Sequence, residues 1–313
     1  MNLTHFGLRR RPFRATPDTD SYYAATVHET ALAELQHALA ADESLLLLSG
    51  ATGTGKTLLV RRFLEALDET IRPVLLLNSH FANRMALLQG ILFDLGLPYQ
   101  DVTEQVARLT ITESCLEHFR TGGKTLLVID EAHHLSAELL EELRLFANLE
   151  GKDGKAVQVL LVALPTMEQT LATPSLAAFR QRLTVRAKLE PLSLEESADY
   201  LLHQVRVAGG TPDLFGEDVL DILTHAALGI PRVLNQAASL AFSLAYEART
   251  EIVDSEAAVE AITRLGLDPI HEGEPLEPED IPPQSYRLPA ATVLVESPKH
   301  ESARQTIPFT PVI

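Results

Sequence analysis

The chain has 313 residues, of which 46% are hydrophobic, and carries a formal net charge of −17. Its length suits one medium domain with a smaller companion and a real core; its acidity excludes a broad, non-specific grip on nucleic acid, which relies on Lys and Arg neutralising phosphates, but leaves a local basic patch or a ring pore open. No apolar run reaches the roughly 18 residues of a membrane-spanning helix, Arg9, Arg10, Arg11 and Arg14 lead into no leader-like apolar stretch, and the lone Cys115 fits a reducing, cytoplasmic setting as buried filler.

Taken in chain order, residues 45–49 form a short apolar run that ends in a Gly-rich turn, and a helical pattern follows over 56–67. A second strand is predicted at 74–78 after Pro73. Helices follow at 84–95, stopped by Gly96 and Pro98, and at 103–120, closed by Gly122 and Gly123. Residues 126–130 read as the third strand. Ser136 serves as N-cap for a helix over 137–149, with Glu138, Glu141 and Glu142 toward its start. A turn at 151–154 leads to strands at 157–163 and 184–189. Continuous apolar strands separated by helices predict an α/β fold, a parallel sheet with helices on both faces.

After Pro191 the pattern becomes helical, at 194–208, 217–227, 232–247 and 254–264. From 267 onward there are eight Asp and Glu against three Lys and Arg, and half of the chain's 18 prolines. Such a segment buries too little apolar surface to offset its ordering entropy. The expected organisation is therefore a core with an N-terminal arm over 1–190, a small all-helical lid over 191–265, and an acidic, Pro-rich, disordered tail over 266–313.

Residues 50–57 read G-A-T-G-T-G-K-T, a phosphate-binding-loop pattern lying between a strand and a helix. Gly50, Gly53 and Gly55 let the backbone curl so that successive N–H groups, from Ala51, Thr52 and Thr54 through to Leu58, face phosphate oxygens. The helix N-terminus adds positive potential. Lys56 suits contact with the β- and γ-phosphates, and the Thr57 hydroxyl suits a magnesium ion. The expected ligands are ATP and Mg2+.

Residues 126–131 read L-L-V-I-D-E, an apolar strand ending in a carboxylate pair. Asp130 would hold the magnesium ion and Glu131 would polarise the attacking water; by itself the pair could equally be a helix cap. Asp130-Glu131-Ala132-His133 also spells a helicase signature, but such helicases complete their site with a second core domain, which the helical segments after Pro191 do not supply. His133 and His134 are adjacent and would not share a helix face, so surface or sheet-edge histidines are expected rather than a metal site.

With these residues assembled, the chain resembles the ExeA/GspA-like branch of AAA+ P-loop ATPases, related to transposition ATPases of the TniB and MuB kind. The resemblance covers roughly residues 3–265. It is carried by F-G-L-R-R-R-P-F-R-A-T-P-D from Phe6 to Asp18, by L-E-E-L-R-L-F-A-N-L-E from Leu140, and by G-I-P-R from Gly229 to Arg232. It implies that Arg232 reaches from the lid to the γ-phosphate as sensor 2. It also implies that Arg180 or Arg182, in F-R-Q-R-L, is an arginine finger entering a neighbouring subunit's site, with Arg182 favoured. The stretch from Phe6 to Phe13 packs near the adenine or anchors the arm to the core; both remain open. The family's fourth strand commonly ends in a Gly-Gln-Pro type of sequence at sensor 1, whereas this chain has Ala163, Leu164 and Pro165. Thr166 or Asn148 would then substitute, and slow basal hydrolysis, not well above about 10 s⁻¹, is expected. The secretion-linked members also carry a membrane segment and a wall-binding module, and neither pattern occurs here.

The function this implies is ATP binding and hydrolysis by an oligomeric switch. The expected partners are further copies of the chain, in an ATP-dependent ring or filament, and duplex DNA or a transposase-like enzyme. The alternatives are a protein-directed ATPase scaffold and an ATP-binding module with little catalysis.

Overall fold

The structure is a computed structural model that describes residues 3–16, 18–152 and 154–267. The expectation of a disordered tail falls on 268–313, outside the described residues. Five strands form a parallel sheet: β1 (Leu45–Gly50), β2 (Ile71–Leu76), β3 (Lys124–Ile129), β6 (Val157–Ala163) and β7 (Leu183–Leu189), in the order β2-β3-β6-β1-β7. A two-residue hairpin, β4 (Glu150–Gly151) with β5 (Gly154–Lys155), occupies the predicted turn.

The apolar strands have no visible alternation in sequence, yet they sort by period two in space. Leu45 and Leu47 of β1, Leu127 and Ile129 of β3, and Val159 and Leu161 of β6 face one side. That side is covered by α3 (Arg84–Asp94), α4 (Glu104–Arg120) and α5 (Ala137–Phe146). Leu46, Leu48, Leu126, Val128, Leu160 and Val162 face the other, against α1 (Thr26–Ala40) and α2 (Lys56–Glu65). Both faces are therefore dry, which is why the strands read as unbroken apolar runs. Each fully buried Leu contributes about 1.5–3 kcal/mol relative to exposure.

Two elements differ from the sequence-based expectation for physical reasons. β2 starts at Ile71, so Pro73 lies inside a strand and pairs with Leu126. The strand is an edge, where a missing N–H can face the open side without loss. The other is α1, absent from the prediction. Its buried Ala31, Leu32, Leu35, Ala38 and Leu39 have helical spacing, but its N-cap is Ala25, which offers no side-chain bond. The Thr26 N–H instead donates to Glu196 Oε1 at 2.8 Å, from far along the chain.

Two short helices, α6 (Met167–Leu171) and α7 (Ala177–Arg182), precede β7. The helical region that follows comprises α8 (Leu194–Val207), α9 (Val219–Ala227), α10 (Pro231–Ala248) and α11 (Ser255–Arg264). Their apolar faces share a core in which Phe6, Leu8 and Phe13 are also buried. Phe6, Phe13 and Phe215 surround Phe242, with ring centroids 5.1, 5.5 and 5.5 Å away. The Arg9 N–H donates to Ala208 O at 2.8 Å. The arm, expected with the sheet core, thus packs on the helical region. Arg10 and Arg14 approach Asp18 at 3.8 and 2.8 Å, which ties up part of the basic cluster. Among the described residues, no helix is long and apolar enough to cross a membrane.

Candidate functional site

The site forms where β1, β3 and β6 end together. Beyond Gly50 the loop turns through Gly53 and Gly55, at φ +86° and +101°, and enters α2 at Lys56. Lys56 is 7% exposed. Its Nζ donates to the loop's own Gly50 and Ala51 carbonyls at 2.8 and 2.9 Å. Burial pushes its pKa below the usual lysine value, opposed by Glu131 and Asp130. Thr54 is buried, Thr57 and Leu58 are half-buried, and Thr52 is exposed.

The Thr57 hydroxyl donates to Asp130 Oδ2 at 2.9 Å. Two residues 73 positions apart are thereby joined, one at the start of α2 and one beyond the end of β3. Hydroxyl and carboxylate oxygens side by side next to a buried ammonium suit a hard divalent cation with a polyphosphate, so the residues present fit Mg2+ and ATP.

Glu131 has φ 54°, a left-handed conformation that costs a non-glycine residue about 1–3 kcal/mol and is found at functional sites. Its backbone is pinned on both sides. The Glu131 N–H donates to Asp130 Oδ1 at 2.9 Å, and the buried Ser79 hydroxyl donates to the Glu131 carbonyl. Its carboxylate is about half exposed and lies 3.5 Å from His133 Nε2.

Two histidines follow Glu131 just past the end of β3. His133 and His134 lie on a single 3-10 turn, Ala132–His134, with ring centroids 4.1 Å apart, and His80 lies 4.0 Å from His134. One ligand atom each from Glu131, His133 and His134 lies within 4.8 Å of the others. The Leu164 N–H approaches His133 Nδ1 at 3.4 Å.

The helical region reaches the loop through Gly229-Ile230-Pro231-Arg232. The Arg232 N–H donates to Gly53 O at 3.2 Å, and its positive charge depresses the Lys56 pKa further. A Cβ at Gly53 would lie 2.9 Å from Arg232 Cβ, so glycine is what allows this approach. Gly229, at φ +71°, packs so closely that a Cβ would lie 2.0 Å from the Leu192 carbonyl oxygen.

Three predicted residues lie elsewhere. The register pairs Leu45 with Leu183, so Arg182 sits at the opening end of the sheet, while the loop is at its closing end. The separation along β1 is roughly 16 Å at 3.3 Å per residue. Arg182 bonds the Asn148 side chain there, and Arg180 Nη1 donates to Ala172 O at 3.4 Å. Asn148 is thus removed as a sensor 1 substitute, because its hairpin-side position is remote from Glu131. Thr166 is exposed just past the correct end of β6.

Sequence reasoning missed His28 and Ser79. His28 of α1 is buried, with Nε2 2.9 Å from Thr54 O. Burial lowers its pKa. Neither residue belongs to a contiguous motif; each comes from another element. A recess of about 550 Å³ lined by Arg72, Thr110, Ser114 and His118 shares no residue with this constellation.

With the loop, the carboxylate pair and the five-stranded order in place, comparison with known proteins agrees. Residues 39–171 match the family model described as an AAA domain. The fold is that of the AAA+ P-loop proteins. Over 236 residues the chain is 34% identical to general secretion pathway protein A of Aeromonas hydrophila, a match spanning 75% of this chain but only 43% of that protein. It is 26% identical to the ATP-dependent target DNA activator B of Escherichia phage Mu, over 72% of this chain and 68% of the relative. The Aeropyrum pernix ORC2 protein, solved as ADPNP-ADP complexes, superposes with a TM-score of 0.62 at 16% identity, covering 81% of this chain and 71% of that one. The AAA+ architecture and the ExeA/GspA and MuB resemblance expected from the sequence both hold.

Proposed function

We propose that this AAA+ protein is an ATP-hydrolysing, oligomeric nucleotide switch that acts at duplex DNA. The observation that carries the reading is the convergence of Lys56, Thr57, Asp130 and Glu131 at one sheet end, with Arg232 docked on the loop. In this reading Lys56 leaves the Gly50 and Ala51 carbonyls for the β- and γ-phosphates. Thr57 and Asp130 hold Mg2+, which supplies charge neutralisation when bound. Glu131 takes the proton of a water whose oxygen bonds to the γ-phosphorus as the bond to the ADP oxygen breaks. Arg232 senses the γ-phosphate from the helical lid, and Arg182, or Arg180, serves the site of the next subunit.

The DNA assignment is supported by the similarity to the phage Mu protein, whose name describes a DNA activator. The 34% identity to the secretion protein favours a second reading, an ATPase scaffold directed at a protein partner. The deciding experiment is steady-state ATP hydrolysis at several protein concentrations, with and without duplex DNA, against Glu131→Gln as background. Specific activity rising with concentration and again with DNA is expected; activity indifferent to DNA overturns the DNA assignment. Lys56→Ala abolishes binding of a fluorescent ATP analogue. Glu131→Gln keeps that binding and lowers turnover by about 100-fold or more, the scale of general-base catalysis. Normal turnover in Glu131→Gln sinks the base assignment.

A further inference from the structure

The His133 ring stands between the end of β6 and Glu131. On one side the Leu164 N–H points at Nδ1, 3.4 Å away. On the other, Nε2 lies 3.5 Å from Glu131 Oε2. A neutral imidazole has one acceptor nitrogen and one donor nitrogen. A backbone amide can only donate, so Nδ1 is the acceptor and the proton sits on Nε2, aimed at the Glu131 carboxylate. Both separations are at the long limit of hydrogen bonding, as contacts in catalytic sites commonly are before substrate binds.

The surroundings hold this ring in place. The His133 side chain is only 12% exposed. The His134 ring lies against it at a tilt, with centroids 4.1 Å apart, and the His80 ring lies tilted against His134 at 4.0 Å. Burial and the neighbouring His134 both lower the His133 pKa, which favours the neutral ring. The same tautomer argues against a metal across Glu131, His133 and His134. A metal at Nε2 needs the lone pair there and a donor proton on Nδ1, and Nδ1 faces another donor.

Glu131 needs such a partner. Its backbone is held by Asp130 and Ser79, but its carboxylate is half exposed on a rotatable stem. The end of β6, where the family resemblance calls for a polar sensor side chain, has Ala163, Leu164 and Pro165, and Thr166 beyond them is exposed. We propose that His133 is a positioning residue that takes the place of that side chain, relaying the Leu164 backbone N–H through its imidazole to orient the Glu131 carboxylate. The inference rests on Glu131 being the water-activating base.

Two measurements test it. In protein labelled with 15N at histidine, long-range 1H–15N spectra show the Nε2–H tautomer for His133, assigned by the loss of its signal in His133→Gln. An Nδ1–H tautomer overturns the relay without reference to activity. In kinetics, His133→Ala lowers kcat about tenfold, a fraction of the general-base effect, with analogue Kd unchanged within about twofold. His133→Gln, whose amide N–H can replace Nε2–H, recovers most of that loss. Wild-type kcat in His133→Ala, joint loss of kcat and binding, or a Gln variant no better than Ala each overturns the proposal. Failure of the underlying reading looks different. There, Glu131→Gln itself turns over normally, whereas a relay acting through Glu131 leaves the residual rate of Glu131→Gln unchanged when His133→Ala is added.

Discussion

His28 is a buried titratable side chain packed on the loop between β1 and α2, and it ties the stability of the fold to pH. Its Nε2–H donates to the Thr54 carbonyl at 2.9 Å, which leaves Nδ1 unprotonated, and Nδ1 is buried without a hydrogen-bond partner among the described residues. Protonation in the folded state would place a charge on that atom with no acceptor, and burial lowers the His28 pKa accordingly. Because the folded pKa lies below the unfolded value of about 6.5, the unfolded chain binds more protons as the pH falls through that value. Stability is therefore retained above about pH 6.5 and lost on acidification below it. His133 and His203 shift in the same direction, so His28 accounts for part of the slope. His28→Gln keeps an N–H near Thr54 and cannot titrate. Its melting temperature should fall less between about pH 7.5 and about pH 5.5 than that of the wild type. Equal falls in both proteins would assign the acid sensitivity elsewhere.

Among elements, α3, α4 and α5 are joined by charge as well as by apolar contact. Glu142, 2% exposed, accepts from Arg108 Nε and Nη2 at 2.6 and 2.9 Å and lies 3.3 Å from Arg84 Nε. Arg108→Ala leaves a buried carboxylate with one guanidinium in place of two, and should cost about 3 kcal/mol in urea unfolding. A loss below about 0.5 kcal/mol would mean that the pair acts like an exposed surface bridge. Glu142 had looked like a residue for the start of α5, since periodicity reveals which face is apolar but not that an acid on that face has partners. The same limit decided which elements were legible. Helices with local caps, Asn83, Thr103, Ser136, Ser193 and Asp254, were readable at their starts. α1 was not, because its first N–H is satisfied by Glu196. Lys56, Thr57, Asp130 and Glu131 stood in contiguous motifs, whereas His28, Ser79 and the Leu164 amide join the site only through folding.

At the scale of the whole molecule, a single copy cannot bring all the proposed groups together. The loop and Arg232 meet within one chain through the Arg232 N–H and Gly53 O. Arg182 lies at the opposite end of β7, beside the start of β1. A finger in that position can serve only another copy's site, which requires a heterologous, head-to-tail interface. The consequence can be tested by mixing two inactive variants. Glu131→Gln binds ATP and keeps the finger but lacks the base; Arg182→Ala keeps the site but lacks the finger. Each alone should hydrolyse ATP about 100-fold or more below the wild type. An equimolar mixture should recover about a quarter of wild-type activity, the fraction of random head-to-tail interfaces that pair an intact site with an intact finger. Arg180→Ala mixed in the same way separates the two candidates, since the true finger alone yields an inactive variant that Glu131→Gln rescues. A mixture no more active than its components, at concentrations where the wild type hydrolyses ATP, would remove the head-to-tail arrangement and return Arg182 to its bond with Asn148 as a structural contact.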